Sequence, residues 1–290
     1  MMRSSVLKPR VGRFAARFVA SILVLLACAG FATFERLLAP DAELWERWSA
    51  HDAASTLSID HGDWDGFLSH NLVPGPDSTT RVRYAKVTAA DRSLLDGYVK
   101  SLTATPISRC ARYEQLAYWI NLYNALTVRV VLDHYPVASI RDIKLSSGLF
   151  AAGPWDQKLV EIEGEEVSLN DIEHRIIRPI WRDARVHYAL NCASIGCPSL
   201  APKAFIAETL DTRLNEAATA FVNSPHGVQI AAGQITVSRI YDWFNEDFGT
   251  NDAAVFEHIL KFASPELRAA MLAIGKINNV AYDWTLNDAS

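Results

Sequence analysis

One imidazole and two thiols lie within eleven residues of each other in this chain. His187 lies in a short apolar run, residues 186–190, which we predict to be a strand, and Cys192 and Cys197 lie in the loop of small residues that follows it. A nearby imidazole lowers the pKa of a thiol and so makes the thiol a nucleophile. If the backbone turns after Leu190, Cys192 is the expected nucleophile and His187 its base.

The same residues allow other interpretations. A disulfide between Cys192 and Cys197 would close the loop, and such bonds occur outside the cytoplasm. If that bond were easily reduced, the protein would be a thiol–disulfide carrier. A metal site would also use His174 and His187, but the spacing of the two cysteines is wider than in most zinc loops and no second pair accompanies it. We therefore predict no metal and no cofactor, and the thiol, disulfide and plain core interpretations stay open.

Two asparagines and one acidic residue are candidates to support the thiol. Asn121 and Asn124 lie three apart in a helical pattern, residues 116–126, that is apolar nearly all round and is therefore predicted to be buried. A buried amide without partners costs about 1–3 kcal/mol. The two side chains therefore either tie down neighbouring backbone or line the site, where they would orient an imidazole or donate to an oxyanion. Glu173, or its neighbour His174, is the expected third group.

A second cluster of acids and aromatic rings follows later in the chain, at Asp242, Trp243, Asp247 and Phe248. Two carboxylates five residues apart beside aromatic rings can bind a polar ligand. Residues of these types also cap helices and pack their apolar faces. Both interpretations stay open for this cluster.

Helical patterns alternate with two hairpins in the body of the chain. Helices are predicted at residues 61–72, 88–102, 113–134 and 209–222, with two or three more near the C-terminus. The expected caps are Thr88 with Asp91, Ser168 with Asp171, and Ser108 for the longest helix. Hairpins are predicted over residues 159–169 and 228–237. The pattern predicts an α+β fold: a single mostly helical domain with a small sheet and hairpins, preceded by an N-terminal signal or anchor helix.

The N-terminus carries the clearest compositional signal. Five basic and no acidic residues within the first 17 precede residues 18–34, which are uncharged and mostly apolar. This order is typical of a signal peptide or membrane anchor, which we place at residues 1–36, ahead of a domain at residues 37–290. Cleavage after Ala29, lipidation at Cys28 and an uncleaved anchor are all compatible with it. Each would place the body in the periplasm or cell envelope.

Composition limits the partners. The chain has 290 residues and a net charge of −5, and this acidic balance argues against nucleic acid. We expect an unknown small molecule or an envelope protein as partner, and membrane contact through the N-terminal segment.

Several short motifs occur in order: YWINLYNA at 118–125, GPW at 153–155, SLNDIEH at 168–174, VHYALNC at 186–192, GCP at 196–198, SRI at 238–240 and DF at 247–248. Over roughly residues 57–285 this order resembles the domain-of-unknown-function 547 family. The resemblance implies a fold but no established reaction. Relatives joined to glutaredoxin-like modules suggest thiol chemistry by association. In plant relatives, serine in place of Cys197 beside a retained Cys192 would favour Cys192 over a mandatory disulfide.

These features lead to one functional expectation with two alternatives. The expectation is an exported or membrane-tethered hydrolase or acyl-transfer enzyme that depends on Cys192, with His187, Asn121, Asn124 and Glu173 in its site. The alternatives are a non-catalytic envelope module that binds a ligand or protein and carries a Cys192–Cys197 disulfide, and a thiol–disulfide carrier.

Overall fold

Helices make up most of the structure, and short strands form three small sheets beside them. The computed structural model describes residues 40–77, 79–145 and 153–289. The predicted signal or anchor at residues 1–36, with the apolar run 18–34 and Cys28, lies outside the described residues. Within the described ranges, no helix combines the length and the apolarity needed to cross a membrane.

The α-helices are α1 Gly62–Asn71, α2 Ala89–Thr103, α3 Arg112–His134, α4 Arg178–Trp181, α5 Leu210–Val222, α6 Ile240–Trp243, α7 Asn245–Phe248, α8 Asp252–Phe262 and α9 Pro265–Ile274. The strands are β1 Leu72–Pro74, β2 Thr80–Val82, β3 Val160–Ile162, β4 Glu165–Val167, β5 Val228–Ala231, β6 Gln234–Ser238 and β7 Asn279–Ala281. Strands β1 and β2, β3 and β4, and β5 and β6 pair antiparallel, whereas β7 pairs parallel to β6. The predicted α+β, mostly helical class is confirmed for the described residues.

Helix α3 lies at the centre of the core. Every side chain from Glu114 to Val128 is buried, as its apolar character on all sides predicts. The helix ends at His134 because the proline two residues later cannot continue it. Its predicted cap was wrong: Ser108 lies in the preceding 3-10 turn and hydrogen-bonds Glu163 instead.

Two hydrophobic clusters meet at the residues that position the site. The larger cluster surrounds α3, and the smaller one combines α5, α8 and the three-stranded sheet. Val186 belongs to the larger cluster and Tyr188 to the smaller one. His187, between them in the chain, therefore lies at the junction of the two clusters.

The strand predicted at residues 186–190 was wrong. This segment forms a 3-10 turn, Ala184–Tyr188, which starts where the Asp183 carboxylate accepts a hydrogen bond from the Arg185 amide. The amides of Ala189 and Leu190 then donate to the Val186 carbonyl. These two donors are paired within the turn and are not available to a neighbouring strand. The apolar residues are buried by the turn rather than by a sheet.

Two of the predicted caps and both predicted hairpins are present in the structure. The capping box of Thr88 with Asp91 is present in full, and the two predicted hairpins form. Ser168 and Asp171 also bond reciprocally, but the helix that they start is a π-helix, Asp171–Ile177. Such widened turns are often found at functional sites. This one turns both Glu173 and His174 into the protein interior.

Candidate functional site

The loop after Leu190 turns sharply and is held by side-chain amides. Asn124 donates to the Ala189 carbonyl at 2.9 Å and accepts from the Asn191 amide at 2.8 Å. Asn191 in turn donates to the Pro198 carbonyl at 2.7 Å and accepts from the Ala193 amide at 2.9 Å. Ala193 has a φ of +59°, a left-handed conformation that a non-glycine residue adopts at a cost. The turn required for a thiol site is therefore present.

Two free sulfurs face each other across this loop. The Sγ atoms of Cys192 and Cys197 lie 2.8 Å apart, well beyond the length of a disulfide bond, which is about 2.05 Å. Cys197 is buried, with 7% of its surface exposed, whereas Cys192 is partly exposed. The Cys192 amide also donates to the Cys197 sulfur at 2.9 Å. The two thiols can therefore bond with little movement, and the outer one is the more accessible.

The two thiols differ in their tendency to ionise. The hydrogen bond with Cys197 lowers the pKa of Cys192 against the effect of burial. Burial, reinforced by Cys192, raises the pKa of Cys197 well above its ordinary value. Negative charge is thus favoured on Cys192, and the proton is retained on Cys197. This is the arrangement of an attacking thiolate beside a protonated second thiol.

Two hydroxyl groups complete the surroundings of the Cys192 sulfur. The Tyr282 hydroxyl lies 2.9 Å from it and the Ser194 hydroxyl 3.4 Å from it, and the two oxygens are 2.8 Å apart. Tyr282 is ninety residues away in the chain, beyond the reach of any local motif. Its ring packs against both Trp243 and Trp284, with ring centroids 4.8 Å and 4.7 Å away. The aromatic residues near the C-terminus were the available signal, but their spacing gave no indication of a site.

His187 is held by two carboxylates. Its Nε2 lies 2.7 Å from Oδ2 of Asp247, and its Nδ1 lies 3.6 Å from Oε1 of Glu173. The ring stacks on Phe244, with centroids 4.5 Å apart. Burial lowers the pKa of His187, but the two carboxylates outweigh it and the net effect raises the pKa. Although burial opposes ionisation, the pKa values of Asp247 and Glu173 are both about 2, held low in part by His187.

The predicted hydrogen bond between His187 and Cys192 is not formed. Among the described residues, the side chain of Cys192 hydrogen-bonds Cys197, Ser194 and Tyr282, and both ring nitrogens of His187 face carboxylates. The physical reason is the 3-10 turn, which directs the imidazole toward the π-helix and α7 rather than along the loop.

Tyr123 of α3 interacts electrostatically with both Glu173 and the cysteine pair. Burial, together with the charges of Glu173, Cys192 and Cys197, raises its pKa well above the ordinary value. The phenol therefore stays protonated.

Arg178 supports the carboxylate side of this arrangement. Its Nε donates to Asp247 at 2.6 Å, and its Nη2 donates to Glu246 at 2.7 Å. Its Nη1 donates to the Pro40 carbonyl at 2.8 Å. Asp247 is therefore shared between Arg178 and His187. Of the second cluster predicted from the sequence, Asp247 contacts His187, Trp243 contacts the ring of Tyr282, and Phe248 is buried in the core.

Both predicted asparagines bond to backbone. Asn121 donates to the Phe205 carbonyl at 2.7 Å and accepts from the Phe205 amide at 3.0 Å. Asn124 makes the equivalent pair of bonds to the loop that carries Cys192. Of the two, Asn124 is thus the one that positions the thiol.

Among the residues that the structure describes, no group of three or more histidine, cysteine and acidic side chains is placed to hold a metal ion. A cavity of about 310 Å³ lies beside α5, with Phe205 and Phe221 in its apolar lining. Pro198 and Ser199, which follow Cys197 directly, also line this cavity.

Comparison with known families adds one finding. Residues 107–222 match the family model described as "Protein of unknown function, DUF547". The matched segment belongs to the domain-of-unknown-function 547 family. It contains the five predicted site residues, Asn121, Asn124, Glu173, His187 and Cys192, whereas Asp247 and Tyr282 lie beyond its end. Searches against curated proteins and against solved structures give no match.

Proposed function

We propose that this protein catalyses thiol–disulfide exchange, with Cys192 as the attacking thiolate and Cys197 as the resolving thiol. The observation that carries the proposal is the distance of 2.8 Å between two free sulfurs whose ionisation tendencies differ. Exchange needs a thiolate that attacks and a second thiol close enough to displace the product.

The reaction has two steps. In the first, the Cys192 thiolate attacks one sulfur of a substrate disulfide. The substrate S–S bond breaks, and its electron pair leaves on the other sulfur as a thiolate, which takes a proton from water. Cys192 then carries a mixed disulfide and no charge.

In the second step, Cys197 loses its proton and attacks the Cys192 sulfur. Loss of the charge on Cys192 favours this ionisation, since that charge helped to raise the pKa of Cys197. The bond between Cys192 and the substrate breaks, and the second substrate thiolate leaves and takes up the proton. The substrate disulfide is reduced by two electrons, and the Cys192–Cys197 pair is oxidised to a disulfide.

Hydrolysis or acyl transfer at Cys192 is the second candidate. The two hydroxyl donors beside Cys192 favour it, because an acyl intermediate needs donors to its oxyanion. This route also needs a base near the sulfur, and His187 has both nitrogens against carboxylates. The exchange reaction requires no such base and is therefore preferred.

The proposed compartment is the periplasm or cell envelope, with the body tethered through residues 18–34, lipidated at Cys28, or released by cleavage. The basic region before an apolar run supports this location. A disulfide-forming pair is also better suited to an oxidising compartment than to the cytoplasm. The substrate would be a disulfide in an envelope protein or in a small molecule.

The test uses the reduced full-length chain with Cys28→Ser, which leaves the buried Cys110 as the one thiol outside the pair. Glutathione disulfide is the probe. We expect the parent protein to form the internal disulfide without a lasting adduct, Cys197→Ala to stop at one bound glutathione, and Cys192→Ala to take up none. Intact mass and free-thiol counts measure all three.

Three outcomes would contradict the proposal. If Cys192→Ala still exchanges, Cys192 is not the nucleophile. If ester turnover requires Cys192 and survives in Cys197→Ala while exchange is absent, acyl transfer is the correct reaction. If both thiols resist glutathione and a disulfide links them in the purified protein, the non-catalytic envelope module is favoured.

A further inference from the structure

The C-terminal tail delivers a tyrosine to the thiol. Residues of the tail bond directly to the cysteine loop: the amides of Ile195 and Gly196 donate to the carbonyls of Thr285 and Asp283, each at 2.8 Å. Gly196 permits this approach, because a Cβ atom there would lie 2.6 Å from the Asp283 backbone nitrogen. Tyr282 is therefore anchored by backbone contacts that do not depend on its hydroxyl group.

We propose that Tyr282 and Ser194 are catalytic residues that hold negative charge on the Cys192 sulfur through a chain of two hydroxyl groups. The purpose of this charge rests on the proposed exchange reaction, whereas the distances between the three groups do not depend on that reaction. The Tyr282 oxygen lies 2.9 Å from the sulfur and 2.8 Å from the Ser194 oxygen.

The direction of these hydrogen bonds follows from the chemistry of the groups. A thiolate accepts hydrogen bonds and has none to donate, so the Tyr282 hydroxyl donates to Cys192. The Tyr282 oxygen is then free to accept from Ser194. Burial, together with the charges of Cys192 and Cys197, raises the pKa of Tyr282 well above its ordinary value, so the phenol keeps its proton. Hydroxyl groups linked in this way polarise one another.

Few other groups near the Cys192 sulfur can stabilise its negative charge. The titratable groups whose charges interact with Cys192, besides Tyr282, include Cys197, Tyr123, Tyr84 and Glu173. The negative charge of Glu173 opposes a thiolate, and burial raises the pKa of both phenols. Cys197 already acts as the partner thiol. Tyr282 and Ser194 are thus the donors from outside the dithiol.

The consequence concerns both directions of exchange. A donor to the thiolate stabilises the reduced form of the pair, in which Cys192 carries the negative charge. When an external thiolate attacks the more accessible Cys192 of the Cys192–Cys197 disulfide, the internal S–S bond breaks and its electron pair leaves on Cys197, which takes up a proton. A second external thiolate then attacks the external sulfur of this mixed disulfide, and Cys192 leaves as the thiolate that the two hydroxyl groups stabilise. The hydroxyl chain therefore makes the disulfide easier to reduce.

The test is the pH dependence of alkylation of Cys192 by iodoacetamide, measured in the full-length Cys28→Ser chain. Tyr282→Phe removes the hydroxyl and keeps the ring. We expect its alkylation midpoint to move to higher pH by about tenfold in proton concentration, the size of one hydrogen bond to a charged group. Ser194→Ala should move the midpoint in the same direction by less. The equilibrium constant with glutathione should shift toward the disulfide in both variants.

Tyr241→Phe is the matched control. It removes another buried hydroxyl, which bonds to Tyr188 at 3.2 Å and not to a cysteine, so the midpoint should stay at the parent value. If the Tyr282→Phe midpoint coincides with those of the parent and of Tyr241→Phe, the proposal is wrong.

A second variant covers the case in which Tyr282→Phe does not fold. Fluorotyrosine at position 282 keeps the shape of the side chain and makes the hydroxyl a stronger donor, so the midpoint should move to lower pH. An unchanged midpoint would overturn the proposal. Because alkylation needs no disulfide substrate, this result is independent of whether the protein exchanges with glutathione.

Discussion

In this structure the imidazole of His187 lies between two carboxylates and makes no hydrogen bond to Cys192. A general base needs a free nitrogen, whereas its Nε2 lies 2.7 Å from Asp247 and its Nδ1 lies 3.6 Å from Glu173. A ring held between two carboxylates is most stable as an imidazolium. We therefore assign His187 the task of neutralising two buried acids at the junction of the core clusters.

This assignment gives a stability that depends on pH. The pKa of His187 is raised from an unfolded value of 6.5, so its contribution is complete below pH 6.5 and is lost as the pH rises through the folded pKa. The pKa values of Asp247 and Glu173 fall to about 2, so their contributions are complete above their unfolded values of 3.8 and 4.5 and are lost toward pH 2. Burial lowers the pKa of the neighbouring His174 to about 4, so its contribution is lost as the pH falls below 6.5. The network should therefore stabilise most near pH 6 to 6.5.

The variant His187→Gln tests whether this network stabilises the protein in a pH-dependent way. Removing one partner of a buried ion pair costs about 3 kcal/mol or more. We expect the difference in unfolding free energy between the parent and this variant to be greatest near pH 6 and to shrink at higher pH. Urea unfolding at several pH values measures it. The exposed His134 is the control, and its change to glutamine should give no such trend. A difference that is constant with pH would show that folding leaves the pKa of His187 unshifted, and would contradict this assignment.

At the scale of elements, α3 positions the thiol loop through one of its two asparagines. Both Asn121 and Asn124 clamp a buried backbone segment with one donated and one accepted bond. They differ in what they clamp: Asn121 holds Phe205, and Asn124 holds the two residues on either side of Leu190. This pair separates a general packing effect from an effect on the thiol.

We expect Asn121→Ala and Asn124→Ala to destabilise the protein by similar amounts, about 2–4 kcal/mol, since each leaves one buried N–H and one buried C=O of the backbone without a partner. Cys192 should behave differently in the two variants. Its alkylation rate in the folded protein should change in Asn124→Ala and stay at the parent value in Asn121→Ala. Equal rates in both variants would mean that the loop holds its shape without α3.

Elements with local signals were predictable, and those fixed by distant contacts were not. The apolar surface of α3, the capping box at Thr88 and the hairpin turn at Glu163 and Gly164 are all encoded within a few residues. Residues 186–190 have the composition of a strand, but their conformation is decided by the Asp183 cap and by burial between two clusters.

The candidate site shows the same division. Cys192 and Cys197 were predicted as a pair because five residues separate them. The contacts of Asp247 with His187 and of Tyr282 with Cys192 span 60 and 90 residues, and no local pattern specifies them. The role expected for His187 stays a prediction, and its partners Asp247 and Glu173 could be identified only from the tertiary structure.

At the scale of the whole molecule, Arg178 joins chain regions that are far apart. Its side chain is 1% exposed and bonds to Pro40, to His174 and to the pair Glu246 and Asp247. The backbone amides of Glu43 and Trp45 add bonds to the carbonyls of the π-helix. The segment after residue 40, the π-helix and α7 are thus connected through a single guanidinium group.

We expect Arg178→Met to lower the unfolding free energy by about 3–5 kcal/mol, since it leaves the partly buried carboxylate of Asp247 with one partner fewer. Arg178→Lys keeps the charge but loses the planar fork, so its loss should be intermediate. The control is Arg92→Met, which breaks partly exposed pairs with Asp96 and Asp133 and should cost about 1 kcal/mol or less. An Arg178→Met protein as stable as the parent would show that apolar packing can replace the whole connection.

The double variant shows whether Arg178 and His187 act as one network. Both bond to Oδ2 of Asp247, so removing either changes how much the other contributes to the unfolding free energy. Combining Arg178→Met with His187→Gln should therefore deviate from the sum of the single effects by at least about 0.5 kcal/mol. Combining Arg92→Met with His187→Gln should give a simple sum, because these residues share no partner. Additivity in both combinations would mean that the two cations stabilise Asp247 independently, and that the π-helix and the turn before the thiol loop are not coupled through it.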